Sequence, residues 1–281
     1  MKHKNKLIWL SIVAVPLCTM LLLGSCKKVP QEGSLAPDIN YKNRKQYATS
    51  GLQQSIGNFQ ASTSTLPLTF EIVAVREQSG RNTAALDEKI PVLRYKQAIV
   101  GNESEEELKL KTETVMTPAV SINPFTGTLE ILEGNKIPSG EYHFDIRVSN
   151  TSGGRVLKDA LVIEFKENEV KSFSSGMIKA PEIERVGDTP NQIRFVGYLN
   201  NVPLSGDQID FTKDRSAGFK GTFVDDANDG EIWNVNFPVK EANTTCTWRV
   251  VNPTTGAVSY VSENFNFVIG LPGSYVVRLY K

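Results

Sequence analysis

The sequence predicts an all-β protein, two consecutive β-sandwich domains that follow an amino-terminal leader and a tether. Three observations predict it. From Leu66 onward apolar residues recur in short runs, many alternating with period two. Those runs are separated by turns containing Pro, Gly and Asn. No stretch beyond the leader sustains the 3.6-residue apolar period of a helix. The chain has 281 residues, enough for one large domain or two ordinary ones, and its 40% hydrophobic content can fill a core. The 31 basic and 31 acidic side chains cancel, so no cationic excess exists to neutralise phosphates and nucleic acid is not an expected partner.

The leader comes first. Met1–Lys6 carries Lys2, Lys4 and Lys6, and an apolar run follows from Leu7 to Leu23. This is the basic and hydrophobic pair of regions of a secretory signal, although ~20 apolar residues would also span a bilayer as a helix. The ending Leu22-Leu23-Gly24-Ser25-Cys26 separates the two readings. An apolar residue, two small ones and then Cys resemble the bacterial lipobox, whose peptidase holds the small residues in narrow pockets. The resemblance implies removal of residues 1–25 and acylation of Cys26. At about 0.8 kcal/mol per buried methylene, two or three acyl chains make a stable membrane anchor. Cleavage also removes Cys18, leaving Cys246 without an intramolecular disulfide partner. With His3 gone, His143 alone remains, so no multi-His zinc site is expected, and no cofactor.

Residues 26–65 hold the lipidated Cys and a tether rich in Ser, Gln, Asn, Gly and Thr. Its scattered apolar residues also admit a second reading, in which Ile39-Asn40-Tyr41 and Ser55–Phe59 pack on the next domain as edge strands. The first sandwich is expected over 66–168. Leu68–Val75 reads as a strand covered on both faces, Pro91–Val100 as an extended segment, and Leu108-Lys109-Leu110-Lys111 as a half-exposed alternating one. The acidic run Glu103–Glu107 beside it reads as a solvated loop or short helix. Ser121–Ile131 reads as strand, tight turn, strand, with Pro124 and Gly127 at the corner. In Glu141–Val148, Tyr142, Phe144, Ile146 and Val148 face one way and His143, Asp145 and Arg147 the other, toward solvent. Residues 169–181 are expected to link the domains, and 182–281 to form the second sandwich. Its strands are Ile193–Val196, Gln208–Phe211, Ile232–Phe237, Cys246–Val251, Phe265–Ile269 and Tyr275–Tyr280. Turns fall at Pro253–Gly256 and Leu271–Gly273, and no sequence repeat relates the halves.

Candidate sites are few. Asp225, Asp226 and Asp229 suggest calcium, but neither possible start of an EF-hand loop puts oxygen ligands at positions 1, 3 and 5 with Gly at 6. Asp229-Gly230 also suits a hairpin turn. Aromatic platforms for sugar rings are sought next. Trp233 shares a face with Val235 and Phe237, and Trp248 with Cys246 and Val250, which assigns both tryptophans to the core. Tyr41, Tyr47 and Tyr260 are left as ligand-binding candidates. His143, Asp145 and Arg147 lie on one strand face with no nucleophile indicated, and no catalytic residue is expected.

The pieces Asn123-Pro124-Phe125-Thr126-Gly127, Gly140-Glu141-Tyr142 and Val148-Ser149-Asn150 resemble the cadherin-like and immunoglobulin-like repeats of bacterial surface proteins. No Asp-x-Asn-Asp-Asn linker follows them, so calcium is not implied. With the lipobox and the segment Gly33–Tyr47, they make the chain similar to uncharacterised cell-envelope lipoproteins of Bacteroidota linked to glycan-uptake systems. That resemblance implies an outer-membrane protein binding or presenting glycan. An adhesion or assembly module that binds another envelope protein is the alternative, and a carbohydrate-active enzyme a minor one. Lys27-Lys28 depart from the acidic residues associated with surface export, so the periplasmic or outward face is left open.

Overall fold

The computed structural model describes residues 33–211, 219–227 and 230–281, and it is all-β, built as sandwiches. In chain order the first part holds β1 (Asn40–Tyr41), β2 (Lys45–Thr49), β3 (Gln54–Ile56), β4 (Phe59–Gln60), β5 (Thr69–Glu77) and β6 (Lys89–Tyr95). Helix α1 (Glu105–Lys111), β7 (Thr112–Pro118), β8 (Val120–Ile122), β9 (Leu129–Ile131), β10 (Gly140–Asn150) and β11 (Gly153–Lys166) follow. One layer is β2-β11-β10-β5, in which β2 runs parallel to β11; β3-β9-β8 and the pair β1-β4 complete the domain. The expected inward row of β10 is fully buried, with Tyr142, Phe144, Ile146 and Val148 at most 1% exposed. They share one core with Leu129, Ile131, Ile56 and the edge-to-face rings Tyr41, Phe59 and Phe70.

Residues 33–65 pack into this domain. Ala36, Ile39, Tyr41, Ala48 and Ile56 all enter its core, so the part of the tether inside the described residues is folded as edge strands. Two local expectations also change. Leu108–Lys111 closes a helix, because Ser104 and Glu107 form a reciprocal capping box that satisfies its first N–H groups. Asp145, expected toward solvent, is buried. β10 itself keeps its alternation; the strands on either side bulge opposite Asp145, β5 by one residue at Val73 and β11 by two between Leu157 and Leu161, and the outward carboxylate is covered by the Arg76 guanidinium, at 2.6 and 2.8 Å.

The second part holds β12 (Asn168–Phe173), β13 (Glu182–Gly187), β14 (Gln192–Leu199), β15 (Val202–Pro203) and β16 (Ile209–Asp210). It continues through β17 (Gly221–Ala227), β18 (Gly230–Val235), β19 (Val239–Val251), β20 (Val258–Ile269) and β21 (Ser274–Tyr280). Sheet β12-β20-β19-β16 faces β13-β21-β14-β18-β17, with β15 appended to β14. Trp233 and Trp248 lie between them, 2% and 0% exposed, with Phe195, Phe211, Phe265, Phe267 and Tyr275. The expected linker 169–181 belongs to this body: β12 pairs with β20, and Met177 is in the core.

The two domains share a local signature. In Asn123-Pro124-Phe125-Thr126-Gly127 the Asn side-chain oxygen accepts the N–H groups of Phe125 and Thr126, and the Gly127 N–H donates to the Asn123 carbonyl at 3.0 Å. Asn252-Pro253-Thr254-Thr255-Gly256 repeats every one of these bonds, with the Gly256 N–H reaching Asn252 O at 2.9 Å. After the next strand, Tyr142 and Tyr275 each donate a hydroxyl to the carbonyl four residues upstream, Pro138 and Leu271. The halves are thus related through N-P-x-T-G and a Pro-Gly-Tyr corner, a repeat too short and too unevenly spaced to stand out along the chain.

Candidate functional site

The cleft between the two domains is built by their connection. β11 ends at Lys166 and β12 begins at Asn168, so Glu167 alone separates strands of different sheets. The Ser50 N–H donates to Lys166 O at 2.8 Å and the Gly270 N–H to Glu167 O at 3.0 Å, which seats the β2 end and the β20 end against this junction. Gly51 and Gly270 allow the approach. A Cβ on Gly270 would lie 2.8 Å from the Ser50 carbonyl carbon and nearer still to its oxygen, and Gly51 has a φ of 83°. Farther out, Lys240 Nζ reaches Glu133 across the domains at 2.8 Å.

Beside this seam is a cleft of about 640 Å³, lined by Tyr47, Leu52, Gln53, Gln54, Lys166, Lys171 and Glu241 among others. Tyr47 extends from β2, the residue 56% exposed, and Lys166 Nζ stands 4.8 Å from the ring centroid. The Gln54 side-chain amide donates to the Tyr47 carbonyl at 2.8 Å, tying the loop after β2 to the strand that presents the ring. Lys171 pairs with Glu169 at 2.6 Å. Three Lys (166, 171, 240) and three Glu (133, 169, 241) line the space, so it carries no net charge. An amphipathic ring ringed by amides, ammonium groups and carboxylates offers an apolar face and hydrogen-bonding groups of both kinds.

The other sequence candidates are scattered. Tyr41 is 4% exposed; its hydroxyl donates to Gly127 O at 2.6 Å, burial pushes its pKa up, and its ring presents no face to a ligand. Tyr260 is 69% exposed on β20, but eight residues from the cleft-lining Val268, about 27 Å along the strand. Asp225 is exposed on β17, where the backbone lies opposite Ile232. Asp226 lies opposite Glu231 in the same ladder, whereas Asp229 and Cys26 fall outside the described residues. Among the described residues, no three His, Cys, Asp or Glu side chains group in a way that could hold a metal ion.

His143 sits in a closed ionic network on the outer face of β10 and β11. Its Nε2 is 3.0 Å from Glu141 and its Nδ1 3.1 Å from Asp159, so carboxylates engage both ring nitrogens and neither is left to activate a nucleophile. Arg76 binds Asp145 and Asp159, and Lys45 binds Glu141 and Glu164. Arg76, with help from the Asp159 N–H, holds the Asp145 carboxyl down at about 2. Sequence reasoning missed the cleft as a whole. Its lining comes from 47–54, 133, 166–171, 240–241 and 268, and only folding brings these together.

Residues 59–193 match a family model described as Domain of unknown function (DUF5007). A comparison with curated proteins finds no match. Among solved structures, the chain is similar to BT4661, a SusE-like surface located polysaccharide binding protein from the Bacteroides thetaiotaomicron heparin utilisation locus. Identity is 13%, the TM-score 0.24, and coverage 85% of this chain and 33% of that one. The chain therefore spans about a third of that protein's length. It is also similar to the titin domains z1z2 in complex with telethonin, at 13% identity, TM-score 0.23, and 90% and 98% coverage of the two chains. The family match runs from β4 into β14, so it takes in most of the first domain, the junction and the first strands of the second.

Proposed function

We propose that this protein is a lipid-anchored, non-enzymatic component of the outer membrane that binds glycan in the cleft between its domains. The anchor is Cys26, read from the lipobox-like Leu22–Cys26. The observation that carries the glycan reading is Tyr47. It is a half-exposed ring held at the rim of a charge-balanced polar cleft, the arrangement in which sugar C–H groups stack while hydroxyls pair with amides and charged groups. Balanced charge favours an uncharged glycan over an anionic one. The non-enzymatic reading is supported by His143, whose ring nitrogens are both taken up by carboxylates.

Affinity electrophoresis against a panel of neutral polysaccharides tests the proposal. The wild-type protein is expected to be retarded by at least one of them. Tyr47→Ala is expected to weaken that binding at least tenfold, about 1.4 kcal/mol, and Tyr260→Ala to leave it unchanged. Retardation that survives Tyr47→Ala would remove the cleft as the site, and no retardation by any polysaccharide would remove the glycan reading.

A further inference from the structure

Residues 89–118 leave the first domain as an arm. β6 and β7 pair with each other and, among the described residues, with no other strand; Pro91 lies opposite Met116, Leu93 opposite Thr114 and Tyr95 opposite Thr112. A lone two-stranded ribbon is marginal in water and gains stability from further strands. The tip of the arm is nonetheless well built. Glu103 takes Lys111 Nζ at 2.7 Å and the N–H groups of Val100 and Gly101 at 2.6 and 2.8 Å, which together hold its carboxyl down at about 2. The arm is thus a formed element that leaves Leu93, Tyr95 and Met116 more than half exposed.

Its two edges differ in chemistry. β6 carries Lys89 and Arg94, with Lys96 just beyond, and Pro91 has no N–H to offer. Cations and proline are the devices by which natural edges resist pairing. β7 reads Thr-Glu-Thr-Val-Met-Thr-Pro, strand-favouring residues with Glu113 as the one charge. Its proline, Pro118, stands at the end, and Lys111 just before the strand is paired with Glu103, so Thr112–Thr117 is the less guarded edge.

We propose that β7 is a dimerisation edge whose occupant is β7 of a second copy of this chain, antiparallel about a two-fold axis at Val115. In this register Val115 meets its own counterpart, Thr114 lies opposite the partner's Met116, and Glu113 lies opposite the partner's Thr117, so no like charges meet. Met116, 55% exposed in one chain, also meets the partner's Met116 diagonally. The cationic β6 edges move to the outer sides of a four-stranded sheet, three strand spacings or about 14 Å apart, beyond a Debye length at physiological salt. Pairing through β6 would instead gather all their cations at one seam. A self-complementary register closes in a two-fold pair, satisfying both open edges at once. The exposed Glu105 and Glu106 at the tip oppose the other occupant of an apolar arm, an anionic membrane surface.

The test is a site-directed disulfide in the full-length chain. Directly opposed residues of an antiparallel pair have Cα atoms about 4.5–5.5 Å apart, within disulfide reach. Val115→Cys is therefore expected to give a disulfide-linked homodimer under mild oxidation. Val92→Cys, opposite Val115 on β6, is expected to stay monomeric. Cys246 is fully buried and does not compete, and Cys18→Ser and Cys26→Ser leave the introduced thiol alone accessible. Met116→Lys replaces an exposed side chain, so the fold should persist; sedimentation should show its dimer dissociating at least tenfold more readily. Four results would each overturn the proposal: a monomeric Val115→Cys protein with wild-type circular dichroism, equal crosslinking by Val92→Cys, capture of a different protein by Cys at 115, or a wild-type chain that sediments as a monomer at every concentration.

Discussion

Substituting Gly270 tests whether the seam, and not only the covalent link, fixes the two domains against each other. In Gly270→Ala the new methyl falls 2.8 Å from the Ser50 carbonyl carbon and closer to its oxygen, with Thr49 Cγ2 at 3.3 Å. The obstacle is backbone, which cannot rotate away as a side chain would. Overpacking of this kind costs about 1–3 kcal/mol. Each hydrogen bond of the seam, Ser50 N–H to Lys166 O and Gly270 N–H to Glu167 O, adds about 1 kcal/mol if it breaks. With both bonds lost the total is about 3–5 kcal/mol, on the order of 10 °C in Tm for a chain of this size. Differential scanning calorimetry and small-angle scattering read the two ways the strain can be relieved, as a lower Tm or as a changed maximum dimension. Gly187→Ala, at a strand glycine that like Gly270 is outside the positive-φ region and whose nearest neighbour would be at 3.5 Å, controls for the loss of glycine itself. A Gly270→Ala protein with wild-type Tm and scattering would refute the close approach of the Ser50 and Gly270 backbones.

Further outcomes follow from single buried groups. Asp145, which Arg76 holds at about 2 in the fold, contributes stability that is complete above the ordinary carboxylate range and lost as pH falls toward 2. Asp145→Asn is therefore expected to lower Tm at pH 7 and to converge with wild type between pH ~4 and ~2 in thermal melts. Trp233 Nε1 donates to the buried Glu231 at 3.1 Å, whereas the buried Trp248 Nε1 has no acceptor among the described residues. Trp233→Phe should consequently cost about 1–3 kcal/mol more than Trp248→Phe in urea unfolding, since it leaves a buried carboxylate short of a donor. Ser104→Ala removes half of the α1 capping box, and hydrogen exchange at Glu107 should speed up while the sandwich core is unaffected.

What could be read along the chain was whatever a single strand repeats. The β10 row from Tyr142 to Val148 is visible because alternate residues enter one core, and the same alternation put Trp233 and Trp248 inside. Asp145 keeps its place on the outer face but is buried there by Arg76 and by bulges in β5 and β11, which the sequence of β10 cannot show. β12 was hidden for another reason. It is an edge strand, half covered at its start and exposed at its end, so ENEVKSFS shows no alternation. Helix α1 carried its own signal, Ser104 three residues before Glu107, which outweighs the alternation of Leu108–Lys111. Tyr41 and Tyr47 are alike in sequence context. Phe59 and Phe70 bury the first, and the domain junction exposes the second.

From Gly153 to Phe173 the chain runs as strand from one sandwich into the other, with Glu167 between β11 and β12 and bulges at Asp159 (φ 46°) and Lys171. Fully extended, some twenty residues would measure about 65–70 Å, and the bulges shorten that path. The bulges are the slack in this run: tension applied between its far ends straightens them first, and the path lengthens further when a ladder of hydrogen bonds gives way. The two bodies are spliced end to end through one residue, which leaves little room for either to swing away from the other.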